Sequence, residues 1–429
     1  MRIEKLSDLA DIILGYPFPS EGFNTEGQGI STVRGMNVTE RALRFGEDAR
    51  FWSDFSISLD NYYLKENDIV IGMDGSKVGR NFAIVRKEDL PLLLVQRVAC
   101  IRAKKCAYQP YLWAWISSPR FVEYINTIKT GSSIPHISGK QIGDYPIAVP
   151  SFDEQKRIGD AIWNLEGMIF NTTAIISELE AMAKDIYDYW FVQFDFPDEN
   201  GRPYKSSGGK MVWNEDLKRE IPEGWKPTRF GDLVTVKRGI SYSASNLVDN
   251  GLPMINLNSF TPSATYKTSG IKYYKGEVKD GGQVNAYDLI MCTTQQTDID
   301  GKTDIIGKTM LIPDLFDSQM VFSMDLVKIQ ADELMKTVIV SETKTPWYNK
   351  YITGFATGTS ILHLKLDGFQ TYQIPLPNDT AILKRFNSMY MEWERRKSIA
   401  MKENEGLTAL RDWLLPMLMN GQVKVGGVA

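Results

Sequence analysis

The sequence predicts an α+β protein made of two copies of one unit, each a strand-rich block followed by a long helix. Three observations carry this: an internal repeat, short β-branched runs inside each copy, and a sustained helical seam after the first. Thr130–Pro150 (TGSSIPHISGKQIGDYPIAVP) lies over Thr357–Pro377 (TGTSILHLKLDGFQTYQIPLP) without a gap, identical at 8 of 21 positions. The chain's two histidines, His136 and His363, fall opposite each other. Earlier segments follow in the same order, with length changes between them as expected of loops. Leu6-Ser7-Asp8-Leu9 with Gly15 parallels Phe230-Gly231-Asp232-Leu233 with Gly239, and Asn67–Ile71 parallels Tyr287–Met291. Val78-Gly79-Arg80 parallels Ile306-Gly307-Lys308.

Within the first block, Asp68–Ile71, Phe82–Val85 and Leu92–Ile101 are short apolar runs punctuated by Gly, Asn and Asp, the signature of strand and turn. Tyr111–Ile128 reads as a helix laid on a strongly bent sheet. After Pro150, which suits a helix start, apolar residues recur at Ile158, Ile162, Leu165, Ile169, Ile176, Leu179, Ala183, Ile186 and Trp190, interrupted at Thr172. That is the coiled-coil period, and a helix over Glu154–Phe191 would span roughly 57 Å. The second helix is less regular. It places Ile382, Phe386, Met389 and Trp393, then Leu407, Leu410, Leu414 and Leu418, on related spacing, with Arg396 and Glu403 weakening its middle. Because both helices leave equivalent edges of equivalent blocks, we expect them to pack antiparallel about a pseudo-twofold axis. The resulting division is block one at 1–150, first helix at 151–193, an aromatic-anchored linker at 194–226, block two at 227–378, and second helix with tail at 379–429.

Composition narrows the function classes. A chain of 429 residues is too long for one core of typical size. The net charge of −4 argues against coating nucleic acid by bulk attraction. Lys+Arg against Asp+Glu is 18 to 17 over 1–150, 9 to 15 over 151–226, 14 to 15 over 227–378 and 8 to 6 over 379–429, so the acidity sits in the connecting segment. Neither an apolar leader nor a membrane-length apolar stretch is evident, and a cytoplasmic protein is expected. Cys100, Cys106 and Cys292 have neither disulfide-framework nor zinc-ligand spacing and read as buried thiols.

Catalytic signatures fail in turn. Gly301-Lys302-Thr303 resembles the end of a phosphate-binding loop, but Gln296 stands where its first glycine belongs. Asp298–Asp304 lacks the glycine and closing glutamate of a calcium loop. There is no Gly-x-Ser-x-Gly elbow, and neither Asn-Pro-Pro-Tyr nor Asp-Pro-Pro-Tyr occurs. Each histidine follows a Thr-Gly-x-Ser-Ile run before the last strand. It either satisfies backbone carbonyls in a turn or touches a nucleic-acid phosphate or base.

Together these pieces resemble the specificity subunits of Type I restriction-modification enzymes. The resemblance covers essentially the whole chain. It rests on the duplicated order, on the block endings Tyr145–Pro150 and Tyr372–Pro377, and on Glu154-Gln155 with Ile158 beyond the first. It rests also on the linker from Trp190–Pro197 through Lys205–Lys210 to Ile221–Trp225, and on the ending Leu414–Val423; Asn378–Thr380 departs by lacking the Glu-Gln pair. The resemblance implies a non-catalytic chain whose blocks are target-recognition domains, each reading half of an asymmetric, split double-stranded DNA sequence, with the helices fixing the gap. It implies two modification subunits that bind S-adenosylmethionine, two ATP- and magnesium-dependent restriction subunits in the full enzyme, and no cofactor on this chain.

Arg and Lys suit guanine, and Asn and Gln suit adenine. The candidate base readers are therefore Arg34, Asp74, Ser76, Lys77, Arg80, Gln96, Arg97 and His136 in block one. In block two they are Asn256, Thr294, Gln295, Gln296, Lys302, Lys308 and His363. The helix seam, doubling as docking surface, is assigned to Ile158, Ile162, Leu165, Ile169, Ile176, Leu179, Ile186, Leu407, Leu410 and Leu414. The competing reading is a duplicated adaptor that binds proteins and has no DNA role.

Overall fold

In the computed structural model the described residues are 2–55, 58–131, 135–278, 281–296 and 305–423. The chain divides into two compact units, one of residues 1–170 with 406–429 and one of residues 171–405.

Unit one opens and closes on a strand pair, Arg2–Lys5 against Pro146–Val149, antiparallel with Arg2 opposite Val149. Its main sheet is antiparallel, in the order Ala10–Leu14, Val98–Ala103, Ile69–Gly72, Phe82–Ile84. Both faces of its central strand are covered, so Ile69, Val70, Ile71 and Gly72 are all buried and the sequence reads as a continuous apolar run rather than an alternation. A second sheet runs Leu92–Leu94, Ile30–Val33, Phe51–Trp52, Phe23–Asn24, its first pair parallel. The expected single bent sheet is thus two sheets. The apolar run over Leu92–Ile101 splits at Gln96-Arg97, where Arg97 takes φ 70°, and its two halves serve different sheets. The helix expected over Tyr111–Ile128 is also two, Gln109–Ile116 and Pro119–Ile128. Pro119 lacks the N–H a continuous helix would use and begins a new helix instead.

Unit two repeats the plan. Trp225–Arg229 pairs with Gln373–Pro377, and the main sheet is Val234–Arg238, Leu326–Ala331, Leu289–Cys292, Thr309–Leu311. Its second sheet has five strands, with Leu252–Ile255 parallel to Met320–Phe322. Helices Glu333–Glu342 and Pro346–Ile352 stand where unit one has its pair. The segment 194–226 folds onto this unit. Phe196 stacks between Tyr204 and Trp225, and Met211–Asn214 forms a hairpin with Arg219–Pro222. Its Gly- and Pro-rich composition marks tight turns there rather than free chain.

The long helices are Phe152–Tyr187, continued by a π turn over Asp188–Val192, and Ala381–Met419. Asp379 Oδ1 accepts the N–H of Ala381 at 2.9 Å and starts the second where no Glu-Gln pair stands. In unit one, Ile158 and Ile162 share a core with Leu415 and Leu418, and Glu166 meets Arg411 at 3.6 Å. In unit two the segments run antiparallel: Thr173 meets Asn404, Glu180 meets Lys397, and Tyr187 packs on Phe386. The seam therefore has a polar half. Ile162, Ile169, Ile176 and Ala183 hold one heptad position as expected. The alternate one is mixed: Leu179 and Thr172 are buried there, as expected for Leu179, whereas Glu166 and Tyr187 are buried one residue beyond the half-buried Leu165 and Ile186. On the second helix Leu410 is exposed, a correction to the expected seam. Buried Leu383, Tyr390, Lys397, Arg411 and Leu418 mark the actual stripe, with Leu414 and Leu407 at its edge. A search for apolar repeats misses charges that are buried because they are paired.

Candidate nucleic-acid interface

At one end of the main sheet of unit one, the central strand runs out into Met73-Asp74. The N–H of Met73 donates to the carbonyl of Arg97 at 2.9 Å, and its carbonyl accepts from the N–H of Ile137 at 2.9 Å. Asp74 bridges His136, which pairs in turn with Thr130 through two backbone bonds of 2.8 and 3.0 Å. The His136 ring is exposed, with Nε2 3.1 Å from Thr130 Oγ1. Asp74 Oδ2 lies 3.9 Å from Arg97 Nε. Gly15 makes the mouth possible, because a Cβ there would fall 2.0 Å from the carbonyl oxygen of Val95. Only glycine lets that chain press against the segment carrying Gln96 and Arg97.

Ser76, Lys77, Arg80, Gln96 and Arg97 are exposed around this mouth, and Asp74 is half-buried. Arg34 is half-buried and already engaged. Its guanidinium reaches Met36 Sδ and the carbonyl of Asp48, and burial, with Arg50 adding repulsion, lowers its pKa.

Unit two builds the same junction. The N–H of Thr293 donates to the carbonyl of Asp325 at 3.0 Å, that of Leu364 donates to Thr293 at 2.8 Å, and His363 pairs with both Thr294 and Thr357. The His363 ring is exposed, with Nδ1 3.5 Å from Thr294 Oγ1. Gly239 plays the part of Gly15, its notional Cβ 2.3 Å from the Ser323 carbonyl. A cavity of about 240 Å³ opens here, lined by Arg238, Thr294, Met324, Asp325 and His363 among others.

Several expected base readers of block two are buried or hydrogen-bonded within the protein. Asn256 is buried; its Oδ1 accepts the N–H of Asn258 at 3.0 Å and its Nδ2 donates to the carbonyls of Met254 and Gly270. Gln295 is buried, with Oε1 accepting from the N–H groups of Ile305 and Ile306 at 2.8 and 2.9 Å. Thr294 is nearly buried beside the histidine. Lys308 is half-buried, its Nζ 3.3 Å from the carbonyl of Pro262. Gln296 lies in the strand opposite Ile361, and Lys302, with Asp298–Asp304, falls outside the described residues. Amides capable of reading adenine are equally capable of capping turns, and residue type cannot separate the two uses. Arg238 and Asp325 line the second mouth without having been singled out. Leu14 and Arg238 directly precede Gly15 and Gly239, whereas Asp325 is placed there only by strand register.

Cys100 and Cys292 are buried and their thiols pushed up by burial; Cys106 is exposed, against expectation. Among the described residues no group of His, Cys, Asp and Glu is placed to hold a metal, and no helix is long and apolar enough to cross a membrane.

Residues 3–181 match the family described as Type I restriction modification DNA specificity domain. The MjaIX specificity subunit of Methanocaldococcus jannaschii is 23% identical over 351 residues, covering 78% of this chain and 74% of that protein. The EcoAI specificity subunit of Escherichia coli is 33% identical over 159 residues, 36% of this chain and 26% of its own. The crystal structure of a Type I restriction-modification S subunit from M. genitalium shares the fold, with a TM-score of 0.59 at 13% identity over 97% of this chain and 95% of that one. Over residues 3–181 the chain is thus similar to the Type I restriction modification DNA specificity domain, and the relatives it resembles along most of its length are named as specificity subunits of Type I restriction enzymes.

Proposed function

We propose that residues 1–150 and 227–378 are two target-recognition domains, each reading one half of an asymmetric, gapped double-stranded DNA sequence. The observation that carries this is the repeated junction. The same backbone bonds present an exposed histidine at the same end of the same sheet in both units, while the side chains around it differ. The long helices would fix the gap, since two related surfaces read one face of B-DNA when set about one turn, ~34 Å, apart. They would also recruit two modification subunits, joined in the full enzyme by two restriction subunits. Because the seam is consumed by internal packing, docking falls to the outward face, where Ile175, Met182 and Tyr189 are exposed at heptad spacing, with Met168 continuing the series in sequence. S-adenosylmethionine, ATP and magnesium belong on the partners.

The near-neutral charge fits weak, salt-sensitive DNA binding by the chain alone and tight binding in the complex. Methylome sequencing of a host with and without this gene tests the reading: a gapped motif that appears only with the gene is expected. Exchanging residues 1–150 for another member's block should alter one half-site; alteration of both, or no gapped motif, would refute it.

A further inference from the structure

The two mouths share one backbone and differ in charge. Strand register equates their positions: Leu14 pairs with Ala99 as Arg238 pairs with Val327, and Val98 pairs with Gly72 as Leu326 pairs with Cys292. Two residues before Ala99 and Val327 stand Arg97 and Asp325; two beyond Gly72 and Cys292 stand Asp74 and Thr294. The backbone bonds agree, since Met73 donates to Arg97 as Thr293 donates to Asp325. One position keeps histidine in both blocks. The other three carry Leu14, Arg97 and Asp74 in block one, and Arg238, Asp325 and Thr294 in block two.

In block two the Arg238 guanidinium and the Asp325 carboxylate line one cavity, and among the described residues neither side chain has a hydrogen-bond or ion-pair partner. On the same sheet Lys328 and Asp288 do close into an ion pair, so opposite charges left open at the mouth are not how this fold stabilises itself. A guanidinium donates to guanine O6 and N7, and a carboxylate accepts from cytosine N4. Resting on the DNA-reading assignment above, we infer that Arg238 and Asp325 together read a G·C pair in the second half-site. We assign Arg97, at the Asp325-equivalent position, to guanine where block two takes cytosine. The shared histidines, being the same in both blocks, discriminate nothing and serve to position the duplex, as phosphate contacts do.

The test uses the chain assembled with its modification subunits and reads methyl transfer to duplexes altered one base pair at a time. The second half-site is defined as the one changed by exchanging residues 227–378. Asp325 is half-buried and Asp325→Asn keeps its size, Arg238→Leu is an exposed change, and assembly is checked by size exclusion. Wild type should reject a change at one G·C position of the second half-site by about ten- to a hundredfold. Either variant should bring that rejection to within a few-fold and leave the first half-site intact, and Arg97→Leu should do the converse. Undiminished discrimination at every second-half position, or relaxation in the first half, overturns the inference while the two-domain reading stands. A wild-type complex with no gapped preference would instead overturn the two-domain reading.

Discussion

Replacing Glu166 by alanine should destabilise unit one far more than its single charge suggests. Glu166 is 6% exposed and holds two guanidiniums: one oxygen takes Arg41 Nη1, the other lies 3.6 Å from Arg411 Nη1. At an effective dielectric near 20, the longer of these alone is worth about 4–5 kcal/mol of gross attraction, offset by desolvation of all three groups. Removing the shared carboxylate leaves two cations without it, and breaking such a buried pair costs about 3–5 kcal/mol. Arg41 retains the Ser117 carbonyl at 2.7 Å and Arg411 retains Asp412 at 2.8 Å, so the low end, about 3 kcal/mol, is expected. Urea unfolding, with hydrogen exchange over 152–170 and 406–419, reads it. Lys184→Ala, which removes an exposed i,i+4 pair with Asp188, supplies the comparison at below about 1 kcal/mol. Equal losses for the two variants would refute the claim that the seam is held by buried charge.

Burial, with repulsion from Lys397, holds the Lys344 ammonium down to about 8 against an ordinary 10.5. Between those values the unfolded chain binds the extra proton, so wild-type stability should gain on that of Lys344→Met as pH rises from about 8 to about 10.5; urea midpoints that track in parallel would contradict this. Asn256→Ala should lower stability by about 1–3 kcal/mol through unsatisfied turn groups, leaving the methylated motif unchanged; a changed motif would restore Asn256 as a base reader. Met182→Glu should leave the isolated chain's stability within about 0.5 kcal/mol yet weaken association with modification subunits in size exclusion. Intact assembly would move the docking surface elsewhere.

Periodicity and repetition were legible because they depend on local spacing. The last strand of each block and the long helices followed from residues near one another in sequence. The seam was half legible. Ile162, Ile169 and Ile176 announce themselves, whereas Glu166, Glu180, Lys397 and Arg411 look like surface residues until their partners, more than 200 positions away, are brought alongside. The base readers suffered the same ambiguity, since Asn256 and Gln295 carry the right amides on the wrong side of the surface.

The sequence by itself determined the α+β class, the duplication and the pairing of His136 with His363, because a repeated pattern of side chains demands a repeated fold. Only the tertiary structure decided which side chains the duplicated backbone leaves open to a partner. Exposure depends on what packs behind a residue, and strand register, not sequence neighbourhood, sets Leu14 opposite Ala99, two residues from Arg97, and Arg238 opposite Val327, two residues from Asp325.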